Sequence, residues 1–238
     1  MKKFNDITKS LVISFYNESR NIKELISEIE NFKKKYIIDE VIFVNNSSTD
    51  DTGKILQEEC INKNYIFINV TNSKGYGDGY FEGIKNSTSE FILTNHSDLQ
   101  FSFLDLTNLL DDKNPNFSSD NALIPIRYNR KISSYFKTFF LKIIYSFILS
   151  IRIVDHNGHP KLFPKKIFNN ISNYPKSGAF DCFIYYLLIK NNCLVYSYKV
   201  FERSRKYGVS SFSHSLIRQF KTFLNMITEV KNFKKFIN

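Results

Sequence analysis

His96, Asp98 and Gln100 alternate along the stretch TNHSDLQF (94–101), directly after the apolar run FILT. In an extended segment that spacing puts all three on one side, where they could hold a divalent cation. Mg2+ and Mn2+ take oxygen ligands, keep part of their water shell and bridge phosphate oxygens, so one or two protein ligands tether either ion to a diphosphate. Asp98 supplies a carboxylate, expected to stand exposed in a crevice, and Gln100 offers a carbonyl. The imidazole of His96 suits Mn2+ better than Mg2+. A plainer role competes: Asp98 caps the helix that FSFLDLTNLL predicts, and His96 is loop polarity.

A second carboxylate, Asp181 in SGAFDCFIYYLL, stands at the start of another predicted helix. It either takes a proton as a general base or caps that helix. His156 and His159 flank a glycine turn in DHNGHPK; turn polarity accounts for both, with an acceptor-side role as the alternative for His159. GYGDG (75–79) does not open as GxGxxG directly after a strand with an acidic residue about twenty positions on, so a nicotinamide site is excluded.

These residues need elements to position them. From Leu11 onward, short β-branched or aromatic runs alternate with longer amphipathic stretches, which predicts consecutive βαβ units and a mostly parallel sheet. Strands are expected at 11–15, 40–44, 65–70 and 91–94, with a further strand-like run at 122–128. Helices are expected at about 20–36, 52–64 and 77–87. Polar loops follow the first four strands: YNES (16–19), NNSSTDDT (45–52), NSKGYGDG (72–79) and NHSDLQ (95–100). In open sheets of this kind ligands bind beyond the carboxyl ends of the strands, so the four loops should converge on one crevice.

The second half differs. SSYFKTFFLKIIYSFILSI (133–151) is apolar apart from Lys137 and Lys142, and its charges and its place inside the fold predict an interfacial or deeply packed helix instead of a spanning one. Residues 213–238 predict a further amphipathic helix with a basic tail, able to lie on an anionic membrane surface. The division expected is a main domain over 1–212 and a helical appendage over 213–238.

The 238 residues carry a formal net charge of +10, which points to anionic partners. The basic residues are scattered and no recognition motif is present, so nucleic acid is not expected as a partner. Cys60, Cys182 and Cys193 lack metal-ligand spacing and read as buried thiols in a reducing compartment. The opening MKKFNDITKS meets Asn5 and Asp6 where a leader would need an apolar core. Together these predict a cytoplasmic protein, peripheral at the inner face of the membrane.

Taken in order, the loops resemble the family 2 glycosyltransferases, inverting enzymes of the GT-A fold, and in particular the polyprenyl-phosphate sugar transferases. LVISFYNESRNIKEL, VIFVNNSSTDDT, NSKGYGDGYFEGI and TNHSDLQ are similar to that family's successive nucleotide and metal motifs. DHNGHPKLFPKKIF and VFERSRKYGVSSF are similar to its acceptor-side motifs. The resemblance covers about residues 11–212 and implies an α/β GT-A sheet flanked by helices. It implies Tyr16, Glu18, Lys74, Gly75, His96 and Ser97 at the nucleotide sugar, Asn45 and Asn46 at base and ribose, and Asp98 and Gln100 at an Mg2+ or Mn2+ ion. Arg205, Gly208 and Ser210 would lie in a loop closing over phosphate, with Lys161, Arg203 and Lys206 on the acceptor and phosphate side; Arg203 and Arg205 compete for the role of phosphate-reading arginine.

Three positions depart from the family pattern. Asn45 and Asn46 replace paired aspartates, which leaves the donor base open, because an amide offers both an acceptor and donors. His96 replaces the first metal-motif aspartate, and Ser211 stands where a lysine is usual, so that Lys206 or Arg205 must supply the cation. The activity implied is inverting transfer from a nucleotide-diphosphate sugar. Such a reaction builds charge on the leaving diphosphate and needs a cation there. A lipid-linked acceptor is expected, polyprenyl phosphate first. An anionic phosphate needs no strong base, whereas the hydroxyl of a surface polysaccharide needs a carboxylate such as Asp181. The two asparagines and His96 also fit a catalytically silent nucleotide-sugar-binding relative.

Overall fold

The computed structural model describes residues 2–130, 132–207 and 216–237. Seven strands form one sheet: β1 (Lys9–Phe15), β2 (Glu40–Asn46), β3 (Ile66–Val70), β4 (Phe91–Thr94), β5 (Asn121–Tyr128), β6 (Lys161–Pro164) and β7 (Leu194–Phe201), in the order β3-β2-β1-β4-β6-β5-β7. The first four pair in parallel, with Phe15 level with Asn45 and Asn45 level with Asn69. β6 is antiparallel to both β4 and β5, and β7 returns parallel to β5. The four expected strands therefore lie side by side with their carboxyl ends on one edge.

Helices α1 (Ile22–Lys33), α2 (Thr52–Lys63) and α4 (Leu104–Lys113) contribute Leu25, Leu56 and Leu106 to the core on one face, against Leu11, Ile13 and Phe15 of β1. Helices α3 (Tyr76–Asn86), α5 (Ile132–Leu149), α6 (Ala179–Lys190) and α7 (Leu216–Ile237) cover the other face, against Val12, Val44 and Ile92. The alternation along β1 explains why LVIS reads as continuously apolar: a parallel strand buried on both faces has no wet side. Two glycines let α3 lie close to the sheet. A Cβ on Gly79 would stand 2.0 Å from Ser14 Oγ, and one on Gly83 would stand 2.3 Å from Val12 Cγ1.

The helix α3 crosses back over β1 from β3 to β4 on the face opposite α1 and α2. Strand order therefore reverses at the boundary between β1 and β4, which is where an open α/β sheet leaves a crevice. β6 and β7 were not among the expected strands. β6 is four residues long, follows Pro160 and ends on Pro164; β7 lies at the sheet edge with most of its side chains exposed.

α7 packs on α5 and α6 through buried Met226, Val230 and Phe233. Lys234 Nζ donates to Ile148 O, tying its last turn to α5.

Candidate active site

The loop tips are stitched to one another. Ser97 Oγ donates to Ser14 O at 3.0 Å, joining β4 to β1 across the switch point. Asn17 N–H donates to Ser48 Oγ, and Ser47 Oγ to Val70 O. Asn46 Nδ2 donates to Gly75 O at 3.0 Å. The polar knots thus form one connected rim.

Within that rim Leu99 has φ 60, the left-handed region that a leucine enters at a cost of about 1–2 kcal/mol. The turn lets Asp98 Oδ1 accept from Gln100 N–H at 3.1 Å and leaves Oδ2 to Arg205. Asp98 is 3% exposed, not the exposed carboxylate expected. Arg205 covers it: one guanidinium nitrogen donates to Asp98 Oδ2 at 2.6 Å and the other to Glu18 Oε1 at 3.1 Å. Burial raises the Asp98 carboxyl, but His96 and Arg205 outweigh it and hold the group below its usual range. For Glu18, burial dominates over Arg205 and raises the carboxyl, with the Asp98 charge adding to the rise.

A second constellation adjoins the first through His96. Tyr76 O–H donates to Asp181 Oδ2 at 2.9 Å, and its oxygen lies 3.2 Å from His96 Nε2. An ionised carboxylate only accepts, so the Tyr76 proton goes to Asp181 and Tyr76 accepts from His96 Nε2–H. The other ring nitrogen, Nδ1, faces Asp98 Oδ2 at 3.9 Å; it carries a lone pair in the neutral ring, and its proton and charge lower Asp98 in the imidazolium. Asp181 Oδ1 accepts from Lys161 Nζ, and Lys161 also donates to His159 Nε2 at 2.9 Å. His159 Nδ1 lies 3.3 Å from Thr94 O, so it is protonated and donates there. Burial, then Lys161, lower His159 to about 3. Burial raises Asp181, but Lys161 outweighs it and holds the carboxyl well below its usual value.

These groups border a cavity of about 170 Å3 lined by Tyr76, His96, Gln100, Asp181, Glu202 and Met226, among others. Its far wall is braced by Arg127, which donates to both oxygens of Asp155 at 3.0 and 3.1 Å, and by Glu202, which accepts from Arg130 Nε at 3.0 Å.

Two donor sets could take a divalent ion. His96, His159 and Asp181 bring one ligand atom each within 4.8 Å of one another. Lys161 already fills the lone pairs of two of them, so an ion there would have to displace a buried ammonium. His96 Nδ1 and Asp98 Oδ2 fit better: Nε2–H of His96 is committed to Tyr76, and among the described residues Arg205 alone donates to Asp98 Oδ2.

A family model described as Glycosyl transferase family 2 matches residues 10–172. The chain belongs to glycosyltransferase family 2. Its curated relatives include the poly-beta-1,6-N-acetyl-D-glucosamine synthases of Staphylococcus aureus (strain COL), 24% identical over 128 residues, and of Staphylococcus epidermidis, 26% identical over 106. Those matches cover 52% and 44% of this chain but 28% and 23% of the relatives, so the chain spans under a third of their length. Among solved structures, glucosyl-3-phosphoglycerate synthase from Mycobacterium tuberculosis, in complex with Mn2+, uridine diphosphate and glucosyl-3-phosphoglycerate, aligns with a TM-score of 0.66 at 12% identity, covering 95% of this chain and 79% of that one. Mannosyl-3-phosphoglycerate synthase from Rubrobacter xylanophilus aligns at 0.67 and 12% identity, over 96% and 74%. The fold is GT-A.

In this glycosyltransferase the expected nucleotide-side residues share the rim, with differing exposure. Tyr16 is 52% exposed, while Glu18, Asn45, Asn46, Ser97 and Asp98 are buried. Asn45 is already engaged, its Nδ2 donating to Asn69 Oδ1 at 2.7 Å and its Oδ1 accepting from Ser48 N–H. Asn46 Oδ1 is buried without a partner among the described residues. Lys74 N–H donates to Asp78, and Gly75 O is fixed by Asn46 and Ser73. Gln100, expected at the metal, uses its amide to donate to Arg203 O.

Lys161, expected in an acceptor and phosphate loop, is instead 1% exposed, because its charge is spent on Asp181 inside the fold. Arg203 pairs with Glu28 and Lys206 with Glu24, both away from the cavity lining. Gly208 and Ser210 lie outside the described residues, as does Ser211. Sequence reasoning passed over Tyr76 and set His159 aside as turn polarity. The available signal was the pair His159 and Lys161, two apart at the start of β6, with Lys161 in register with Thr94.

Proposed function

We propose that this glycosyltransferase transfers a sugar with inversion from a nucleotide-diphosphate donor to a lipid-linked acceptor, with polyprenyl phosphate favoured. The observation that carries the choice of acceptor is that both oxygens of Asp181 are engaged, Oδ1 by Lys161 and Oδ2 by Tyr76. A carboxylate so satisfied is a weak base, and general-base help to a sugar hydroxyl requires a proton acceptor matched to working pH. A phosphate oxygen arrives already ionised and needs none.

Residues of the chain then divide the work. Glu18, Asn46 and Ser97 shape the donor side, where the orphan Asn46 Oδ1 suits a base bearing an N–H, as uracil and guanine do and cytosine at N3 does not. His96 Nδ1 and Asp98 would hold Mn2+ or Mg2+, which when bound stabilises charge on the leaving diphosphate. The mixed nitrogen and oxygen set favours Mn2+. Arg205 carries the complementary guanidinium, able to grip phosphate oxygens bidentately once it leaves Asp98. Tyr76 and Asp181 hold the His96 ring and its tautomer.

No helix among the described residues is long and apolar enough to cross a membrane. The net charge of +10 supports a peripheral seat on an anionic cytoplasmic face, where a lipid carrier is presented.

A second reading has its own support: the curated relatives are named as polysaccharide synthases, which favours a saccharide hydroxyl as acceptor. The test supplies purified protein, a panel of radiolabelled UDP-, GDP- and CDP-sugars, Mn2+ or Mg2+, and either undecaprenyl phosphate or a saccharide-primed lipid. Label entering the phosphate is the expected result; label entering only the saccharide would replace the first reading with the second. Donor binding without transfer to either would mark a silent relative.

A further inference from the structure

Neither the core nor the site accounts for the outer surface of α5 and α7. α5 buries Leu141, Tyr145 and Leu149 toward the sheet. At helical spacing on its opposite side stand Ile132, Phe136, Phe139, Phe140, Ile143 and Phe147, from 36% to 86% exposed. A helix apolar on both sides is incompletely covered by its own domain. α7 adds exposed Ile217, Phe220 and Leu224 beside it. Scattered apolar residues need no explanation on a surface, but a contiguous aromatic stripe does.

The charges around the stripe choose its occupant. α5 contains no acidic residue, and Lys142 Nζ lies 5.2 Å from the ring centroid of Phe139, at the border of the stripe. α7 carries Arg218, Lys221, Lys231, Lys234 and Lys235 against Glu229 alone. Glu229 is turned inward, accepting from the backbone N–H groups of Lys176 and Ser177 at 3.0 and 3.2 Å. Lys221, Lys231 and Lys235 are exposed. Aromatic side chains rimmed by lysine match the acyl and headgroup layers of an anionic bilayer, whereas a second copy of this basic surface would bring like charges together.

We infer that the outer faces of α5 and α7 form one docking surface for an anionic lipid bilayer, with Phe136, Phe140 and Phe147 entering the interface and Lys221, Lys231 and Lys235 meeting lipid phosphate. This deepens the lipid-acceptor reading and rests on it only for what is delivered to the site. The surface is joined to that site: Met226 of α7 lines the cavity beside Asp181, and Glu229 holds the backbone of residues 176 and 177 just before α6. A protein seated by these helices brings the Met226 side of the cavity toward the membrane, where a lipid-borne phosphate is found.

The test is vesicle flotation without donor nucleotide. The probes are vesicles of phosphatidylcholine alone and of phosphatidylcholine with phosphatidylglycerol, each at low and high salt. The wild-type chain should float with the anionic vesicles and bind at least about tenfold less to the neutral ones. Phe136→Ser/Phe140→Ser/Phe147→Ser should lower binding to both by about tenfold or more, and Lys221→Glu/Lys231→Glu/Lys235→Glu should abolish only the salt-sensitive part. Circular dichroism melting and nucleotide binding, unchanged in both variants, separate loss of the surface from loss of the fold. Either variant floating like wild type overturns the inference. So does a wild-type dimer in sedimentation that the serine variant dissociates while vesicles capture neither protein. Because no sugar transfer is read, failure here is distinct from failure of the acceptor assay.

Discussion

Arg205 bridges Asp98 and Glu18, with its two terminal nitrogens 2.6 and 3.1 Å from one carboxylate oxygen of each. One positive charge therefore serves two buried acids, and the cluster is one charge short of neutral. The arginine reaches that position because Arg203 N–H donates to Gln100 O and Gln100 Nε2 to Arg203 O, which fastens the chain after β7 onto the loop after β4. A cation that uses Asp98 must compete with this guanidinium. A diphosphate arriving with the cation offers the guanidinium a replacement anionic partner, so donor and metal should bind in concert.

Replacing Arg205 separates those effects. Arg205→Ala should raise Mn2+ affinity in the absence of nucleotide by about tenfold, the equivalent of one charge-assisted hydrogen bond removed from the competitor. Electron paramagnetic resonance titration of free Mn2+ reads this directly. The same variant should transfer sugar more slowly, because the leaving diphosphate loses its guanidinium. Mn2+ affinity unchanged from wild type would show that Arg205 does not stand in the way of the ion.

Tyr76 makes the His96 assignment testable without turnover. Its hydroxyl spans His96 and Asp181, and its loss removes the acceptor that fixes the Nε2–H tautomer. In Tyr76→Phe, nitrogen chemical shifts of His96 should move from one tautomer toward a mixture, and Mn2+ affinity should fall by about 10–100-fold, the usual cost of losing an outer-shell partner. Asp98→Asn should cut transfer by about 100-fold or more while staying folded, since its one amide oxygen keeps the Gln100 N–H and only the Arg205 contact is lost to the amide NH2. Transfer by Asp98→Asn at near-normal rates would remove this aspartate from the metal site.

Acid should find the Arg127–Asp155 pair. Burial raises the Asp155 carboxyl, but Arg127 outweighs it and holds the group at about 2. A depressed carboxylate contributes stability that is complete above its unfolded value of 3.8 and is lost as pH falls toward 2. The difference is worth about 2 kcal/mol. Between pH 5 and 2 the wild type should lose stability more steeply than Asp155→Asn, measured by urea titration at each pH. Parallel slopes would show that the pair does not couple to folding.

The first half of the fold is plain in the sequence because its signals are local: each strand is a continuous apolar run, each helix is periodic, and a polar loop follows each strand tip. Asp98, Glu18 and Ser97 could be assigned to one crevice because parallel βαβ units put such loops on one edge. The acceptor side is different in kind. Lys161 opens a four-residue strand paired antiparallel to β4, with His159 just before it, and Asp181 comes from a helix twenty residues later. Nothing local distinguishes Lys161 as a buried counterion from Lys161 as a surface cation. Asp98 looked exposed for the same reason, since Arg205, which covers it, lies 107 residues away.

The boundary near residue 213 rests on a basic amphipathic pattern, and α7 offers a direct test of whether that helix is separable. Phe233 is buried against Phe183 and Tyr186, with ring centroids 5.2 and 5.5 Å away, and Val230 is fully enclosed beside it. Phe233→Ala removes a large aromatic from a packed site and should cost about 3–5 kcal/mol. In a chain of this size that lowers Tm by roughly 6–20 °C. If α7 is part of the cooperative unit, the variant melts in one transition at the lower temperature, and the near-ultraviolet signal of α6 is lost with the far-ultraviolet signal of the sheet. An appendage would behave otherwise: the main transition would stay in place and a small early one would report α7 alone.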